Sequence, residues 1–212
     1  MKHLIIIGAR GAGREIYETA INTKAYDDKE YDIKGFLDDK ADALDATPGY
    51  PPIIGAVETY QLQEDDVFIC ALGDPQWRKH YVEIILEKGG QFITLIDKTA
   101  NICTNAKIGN GCIIRRTVEL SNDTTVGDFS YLQPFTNIGH DAVIGKYCHL
   151  NTASFMGGYS IIEDMATLQT HAVLLPHKKV GVGATIGAGS VAIRDVKAGT
   201  TVFGIPAMRI GK

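Results

Sequence analysis

The chain has no run of about eighteen apolar residues, so no segment reads as a membrane span. It also has no cluster of Lys and Arg, and its net charge is −4. That argues against a nucleic-acid partner, whose phosphates call for clustered cations. Cysteine is scarce, and none of the four (Cys70, Cys103, Cys112 and Cys148) forms a CxxC pair. The commonest signature of a zinc or dithiol centre is therefore missing, and these residues read as small buried thiols. The opening MKHLIIIGARG soon breaks into a glycine-rich turn, too early for the hydrophobic region of a signal peptide. The expectation is a cytoplasmic protein without membrane insertion.

Glycine, by contrast, is abundant, and most of the 23 fall in the second half. The first half alternates strand and helix signals. KHLIIIG is a continuous apolar run ending in glycine, which suits a buried parallel strand. GARGAGREIYETAINT opens a helix with Ile16, Ala20 and Ile21 at helical spacing. DIKGFLDD reads as a second strand ending in acids, Pro51 and Pro52 as a loop, and VFICALG as a third strand. DPQWRKHYVEIILEKGG is a helix, with Pro75 in its first turn and Gly89 and Gly90 as its stop. QFITLID reads as a fourth strand. Strands alternating with helices imply a parallel α/β sheet.

Near Ala100 the pattern changes. From Ile102 to Ile186 every sixth residue is aliphatic, without a slip. Four residues after each aliphatic position comes a small one: Ala106, Cys112, Val118, Thr124, Ser130 and onward. Lys178 breaks this slot. Glycine often follows the aliphatic residue directly, as at Gly109, Gly127, Gly139, Gly145, Gly157, Gly181 and Gly187. A period of six fits neither helix nor hairpin sheet, and matches a solenoid of short strands joined by tight turns. The aliphatic side chain points to the axis and the small residue fills the corner. The glycine is expected to supply a turn conformation that other residues resist. This is the hexapeptide-repeat pattern of the left-handed β-helix, three hexads to a coil. The expected organisation is an α/β, Rossmann-like domain over residues 1–98, followed by an all-β left-handed parallel β-helix over 99–212.

Within NIGHDAVIGKYCHLN, His140 falls just past Gly139 at a turn, pointing away from the core. Asp141 is adjacent. An acceptor on one ring nitrogen fixes the tautomer and leaves the other nitrogen as a base. A lone turn histidine is more often a solvated surface residue, but the apolar repeat itself requires neither His140 nor His149. Upstream, Gly8-Ala9-Arg10-Gly11-Ala12-Gly13 follows a strand and opens a helix, a context suited to a diphosphate. It is not the dinucleotide fingerprint, since Arg10 replaces the second glycine of GxGxxG. A purely structural turn between strand and helix remains open on these residues alone.

GARGAGRE, GFLDD, NIGHDAVIGKYCHLN and the tail DVKAGTTVFGIPAMRI together resemble the bacterial sugar acyltransferases, which include UDP-4-amino-sugar N-acetyltransferases and sialic acid O-acetyltransferases. The resemblance covers essentially the whole chain. It implies a homotrimer of side-by-side prisms that uses acetyl-CoA as co-substrate. His140 would be the general base and Asp141 the acid that raises its basicity. His149 would contact acetyl-CoA, and Gly158, Thr170 and Ala188 would line the CoA channel. Arg10, Gly11 and Ala12 would match the phosphate turn for a nucleotide sugar, Asp38 and Asp39 the acidic pair, and Gly73 a strand-end glycine. One departure is Ala12, where the family often has histidine.

The resulting expectation is an acetyl-CoA-dependent acetyltransferase acting by direct transfer on a nucleotide-linked amino sugar, in surface-glycan assembly. A sugar O-acetyltransferase and a non-catalytic sugar-nucleotide-binding trimer are the alternatives. A nicotinamide oxidoreductase is disfavoured by the broken fingerprint. A thiol-based ping-pong route is disfavoured because no cysteine neighbours His140 in sequence. His149, His171 and His177 offer a weaker reading as three zinc ligands at a trimer interface, and no metal is expected. Lys178 and Lys179 read as solvated residues or as partners for the CoA phosphates. Trp77 and Arg78 read as a solvated or capping face.

Overall fold

The computed structural model describes Met1–Ile210. The chain divides into two compact units, Met1–Lys98 and Thr99–Lys212.

The first unit is a parallel sheet with helices. Its strands are β1 (Lys2–Ile7), β2 (Tyr31–Leu37), β3 (Ile53–Gly55), β4 (Asp66–Cys70) and β5 (Gln91–Phe92). The order β3-β2-β1-β4-β5 places β1 centrally, and every pairing is parallel. Leu4, Ile5, Ile6, Phe68 and Ile69 are wholly buried, as the continuous apolar runs require. Helix α1 (Gly11–Ile21) buries Gly13, Ile16, Thr19 and Ala20. A short helix α2 (Lys24–Asp27) follows. Helix α3 (Pro75–Glu87) starts at Asp74, whose side chain accepts from the N–H groups of Gln76 at 2.8 Å and Trp77 at 3.0 Å.

One expectation for this unit fails. QFITLID is not one strand: it breaks at Ile93-Thr94 into β5 and β6 (Leu95–Ile96), and β5 alone joins this sheet. The apolar run continues where the strand direction does not. Pro51 and Pro52 lie in a loop, as expected, and a further strand, β3, follows them directly. It is an edge strand with room for only three residues.

The second unit is a parallel left-handed β-helix. Two-residue strands recur every six residues from β7 (Asn101–Ile102) to β22 (Val191–Ala192). They form three parallel sheets, illustrated in one coil by β13 (Asn137–Ile138), β14 (Val143–Ile144) and β15 (His149–Leu150). Each strand pairs with the one eighteen residues on, as Ile138 with Met156 and Leu150 with Leu168. The aliphatic slot is fully inside along the prism, with Ile138, Leu150, Met156, Ile162 and Leu168 at zero exposure. Each such side chain contributes about 1.5–3 kcal/mol of burial. The small slot is buried too, at Cys112, Ser130, Ala142, Cys148 and Ser160. Lys178, which breaks that slot, is half-buried instead. Cys103 departs from the buried-thiol expectation: it lies in the first coil, half-exposed, with Glu119 Oε1 3.6 Å from its Sγ.

The glycine expectation is corrected. The left-handed conformation falls three residues after the aliphatic slot, at every hexad from Asn105 to Gly189, and most of these residues are not glycine. The glycines directly after the aliphatic slot have ordinary φ values and serve clearance. A Cβ on Gly139 would lie 2.6 Å from Gly158 N, and one on Gly127 2.6 Å from Gly145 C. At these two glycines the backbone of the next coil passes close by, and a side chain does not fit.

The period shortens near the carboxyl end. Thr167 pairs with Thr185, but Thr185 pairs with Thr201 in β23 (Thr201–Phe203). Strand β24 (Met208–Ile210) then turns back antiparallel on β23.

Candidate active site

The solenoid brings three of the named residues together at one corner, between β13 and β14. Backbone amides hold them: Gly139 N–H donates to Met156 O at 2.7 Å, and Tyr159 N–H to His140 O at 3.0 Å. Asp141 occupies the left-handed position, φ +56°, which turns its carboxylate beside the preceding ring. His140 Nδ1 lies 2.8 Å from Asp141 Oδ2. A carboxylate only accepts, so the neutral imidazole carries its proton on Nδ1 and leaves Nε2 bare. The His140 side chain is 58% exposed. Beside it, one coil on, is Gly158, where a Cβ would come 2.8 Å from Nε2. The arrangement presents a base to whatever occupies the space next to Gly158.

The other named residues lie at different stations of the prism. His149 is on β15, 7% exposed, with its ring stacked on Tyr131 at 4.8 Å and 8°. Its Nε2 is 3.4 Å from Gln133 Nε2. Thr170 and Ala188 are exposed at another corner, where Thr170 O accepts from Gly189 N–H at 2.9 Å. His171 sits beside Thr170, and His177 one coil above Tyr159 on the His140 corner. The three histidines of the zinc reading thus occupy three separate stations of one prism.

In the first unit the carboxyl ends of β1, β2 and β4 open into a cavity of about 390 Å³. This is where an open parallel sheet binds ligands, at the point where strand order reverses. Arg10, Ala12, Asp38, Asp39 and Gly73 line it, whereas Gly11 does not. Gly13 is needed for close packing of helix on strand, since a Cβ there would run into Gly8 O. Asp38 accepts from Ala9 N–H at 2.8 Å and Lys40 N–H at 3.0 Å, and Arg10 Nη2 reaches Asp38 at 3.4 Å and Asp39 at 3.1 Å. Burial pushes the Asp38 carboxyl up, but those N–H groups and the Arg10 charge outweigh it and hold it below the usual range.

The cavity has an aromatic wall that the sequence reading missed. Trp77 and Tyr81 line it and stack on one another at 6.2 Å. Arg78 is not solvated: it is 1% exposed, and its Nη1 donates to Leu72 O at 2.8 Å and Gly73 O at 3.4 Å, shaping the loop after β4. The usable signal was position, since a helix that starts at a strand's carboxyl end points its first turn at the ligand crevice.

Comparison with known proteins completes the picture. Residues 3–85 match the PglD N-terminal domain, and residues 93–191 the GMPPB C-terminal domain. The acetyltransferase domain of PglB from Neisseria gonorrhoeae is 26% identical, with a TM-score of 0.88 over 99% of this chain and 100% of that one. The chain has the fold of the hexapeptide-repeat sugar acetyltransferases. PerB from Caulobacter crescentus, solved with CoA and GDP-perosamine, superposes with a TM-score of 0.76 at 20% identity, over 100% of this chain and 98% of that one. WeeI from Acinetobacter baumannii gives 0.71 at 19%, over 99% and 100%. No curated protein sequence matches. No helix among the described residues is long and apolar enough to cross a membrane.

Proposed function

We propose that this protein moves the acetyl group of acetyl-CoA onto the amine of a nucleotide-linked sugar, with His140 as general base. The observation that carries the reading is the His140 ring itself, tied to Asp141 through Nδ1 and bare at Nε2. The sugar amine gives its proton to Nε2 as nitrogen attacks the thioester carbonyl, and a C–N bond forms. Collapse of the tetrahedral adduct breaks the C–S bond, and the imidazolium returns the proton to the departing thiolate. Asp141 orients the ring and stabilises the imidazolium. Proton transfer of this kind accelerates a reaction by about 10²–10⁴-fold.

The substrate class is supported by the first unit: a cavity at a Rossmann-type switch point, with Arg10 at the opening of α1 and an aromatic wall. The relatives named above support it too, among them PerB with its CoA and GDP-perosamine. Acetyl-CoA is the co-substrate, and Gly158, Thr170, Ala188 and His149 are assigned to its channel. Thr170 and Ala188 stand at a different corner from His140. A channel formed where prisms meet in a homotrimer joins such corners. Exposed apolar residues on neighbouring strands, Val143 and Ile161 at 41% each, suit a face covered by another copy.

The test is a thiol-release assay with acetyl-CoA and a panel of nucleotide-linked amino sugars. One sugar is expected to give turnover that H140A abolishes, while sedimentation still reports a trimer. Turnover by H140A within a few-fold of the parent removes His140 from the role, and a panel without turnover removes the reaction.

A further inference from the structure

The corner that carries His140 also carries two rings to which the reaction above gives no task. The Tyr159 ring stands perpendicular to the imidazole, with centroids 5.1 Å apart and planes at 90°. On the next coil His177 lies flat against Tyr159, at 5.0 Å and 5°. Backbone bonds fix this column: Tyr159 N–H donates to His140 O, and His177 N–H to Gly158 O, both at 3.0 Å. Tyr159 and His177 both sit in the left-handed region, at φ +58° and +60°, as the residues of this slot do in every hexad, among them Phe129, Phe135, Tyr147 and Met165. Phe129 and Tyr147 stack similarly at another corner, so ring ladders stiffen this solenoid in general. The His140 column adds a titratable ring packed edge-to-face against the ladder.

An imidazole held only through Nδ1 can swing about that bond, and this one is more than half exposed. We propose that Tyr159 is a positioning residue. Its ring fixes the plane of His140 so that Nε2 stays beside Gly158 while Nδ1 stays on Asp141, and His177 buttresses Tyr159 from the coil above. The ring is the active feature, not the hydroxyl. This rests on His140 being the base.

The experiment compares Y159F, Y159A, Y159L, H177A and H140A in the trimer, measuring kcat and KM and the imidazole ¹⁵N shifts of His140. Y159A and Y159L are expected to lower kcat about tenfold, with KM for acetyl-CoA changed less than about twofold. Y159F restores most of the rate, and H177A gives a smaller loss. In Y159A the His140 nitrogens shift toward the average of exchanging tautomers. Y159L covers the case in which Y159A does not fold. Full kcat in Y159A or Y159L overturns the proposal, as does Y159F impaired as badly as Y159A. An inactive H140A beside an unimpaired Y159A overturns this inference alone, whereas an active H140A overturns the reading on which it rests.

Discussion

His140 and Gly158 are matched, in that the ring of one fills the space the other lacks. A Cβ at residue 158 would sit 2.8 Å from Nε2, 3.0 Å from Cε1 and 3.2 Å from Cδ2, and its three nearest atoms all belong to that imidazole. Gly158 also has an ordinary φ, so the backbone itself would accept alanine.

Gly158→Ala is therefore expected to spare the fold and harm the reaction. The added methyl pushes Nε2 aside. Turnover should fall about a hundredfold, since misplacement by an ångström costs that much, with a melting temperature close to the parent's. Paired kinetics and calorimetry check both parts. A variant with the parent's turnover means that the ring tolerates displacement.

Gly139→Ala should do the reverse. Its Cβ would meet backbone, 2.6 Å from Gly158 N and 2.9 Å from Gly157 C, which cannot rotate away. Destabilisation of about 1–3 kcal/mol is expected, seen as a lower denaturation midpoint. An unchanged midpoint means the coils separate easily.

In the first unit, Asp66 accepts from Lys34 at 2.6 Å, Tyr60 OH at 2.8 Å and Gln63 N–H at 2.9 Å, with its side chain only 1% exposed. Burial pushes its carboxyl up, and these partners more than reverse that, holding it below the usual aspartate range. Asp38 is lowered as well. The unfolded chain thus binds these protons more readily. The stability they contribute is fully present above about pH 4 and is lost as the pH falls through their lowered folded values. Asp66→Asn should cost about 2 kcal/mol at neutral pH and flatten the acid limb of the stability curve. Urea titrations between about pH 2 and 7 test this. An acid limb as steep in the variant as in the parent assigns that limb to other groups.

Trp77 is 59% exposed while lining the cavity, so it is open to stack on a planar ligand. Trp77→Ala should weaken binding of the preferred nucleoside diphosphate about tenfold, which corresponds to the roughly 1–3 kcal/mol of a base stacked on an aromatic ring. Fluorescence or calorimetric titration reads it. Unchanged affinity places the base elsewhere.

Several features follow from the order of residues alone. Aliphatic residues at period six have one arrangement that buries them all, and parallel apolar runs separated by amphipathic helices have one sheet type that does so. The pairing of His140 with Asp141 is also local, because neighbours at a turn meet whatever the rest of the chain does. Other features required the fold. Gly158 is eighteen residues from His140 in sequence and touches it only because one coil returns over the last. The role of glycine moved for the same reason: φ is a property of one residue, but clearance is a property of two backbones. That Arg78 is buried rather than solvated depends on where the loop carbonyls of Leu72 and Gly73 end up. Trp77 and Tyr81 became a cavity wall only once the carboxyl ends of β1, β2 and β4 were set side by side. Sequence determines contacts that a repeat or a neighbour enforces. Contacts made between coils and across strand ends belong to the tertiary structure, because they depend on the stacking distance and on which ends meet.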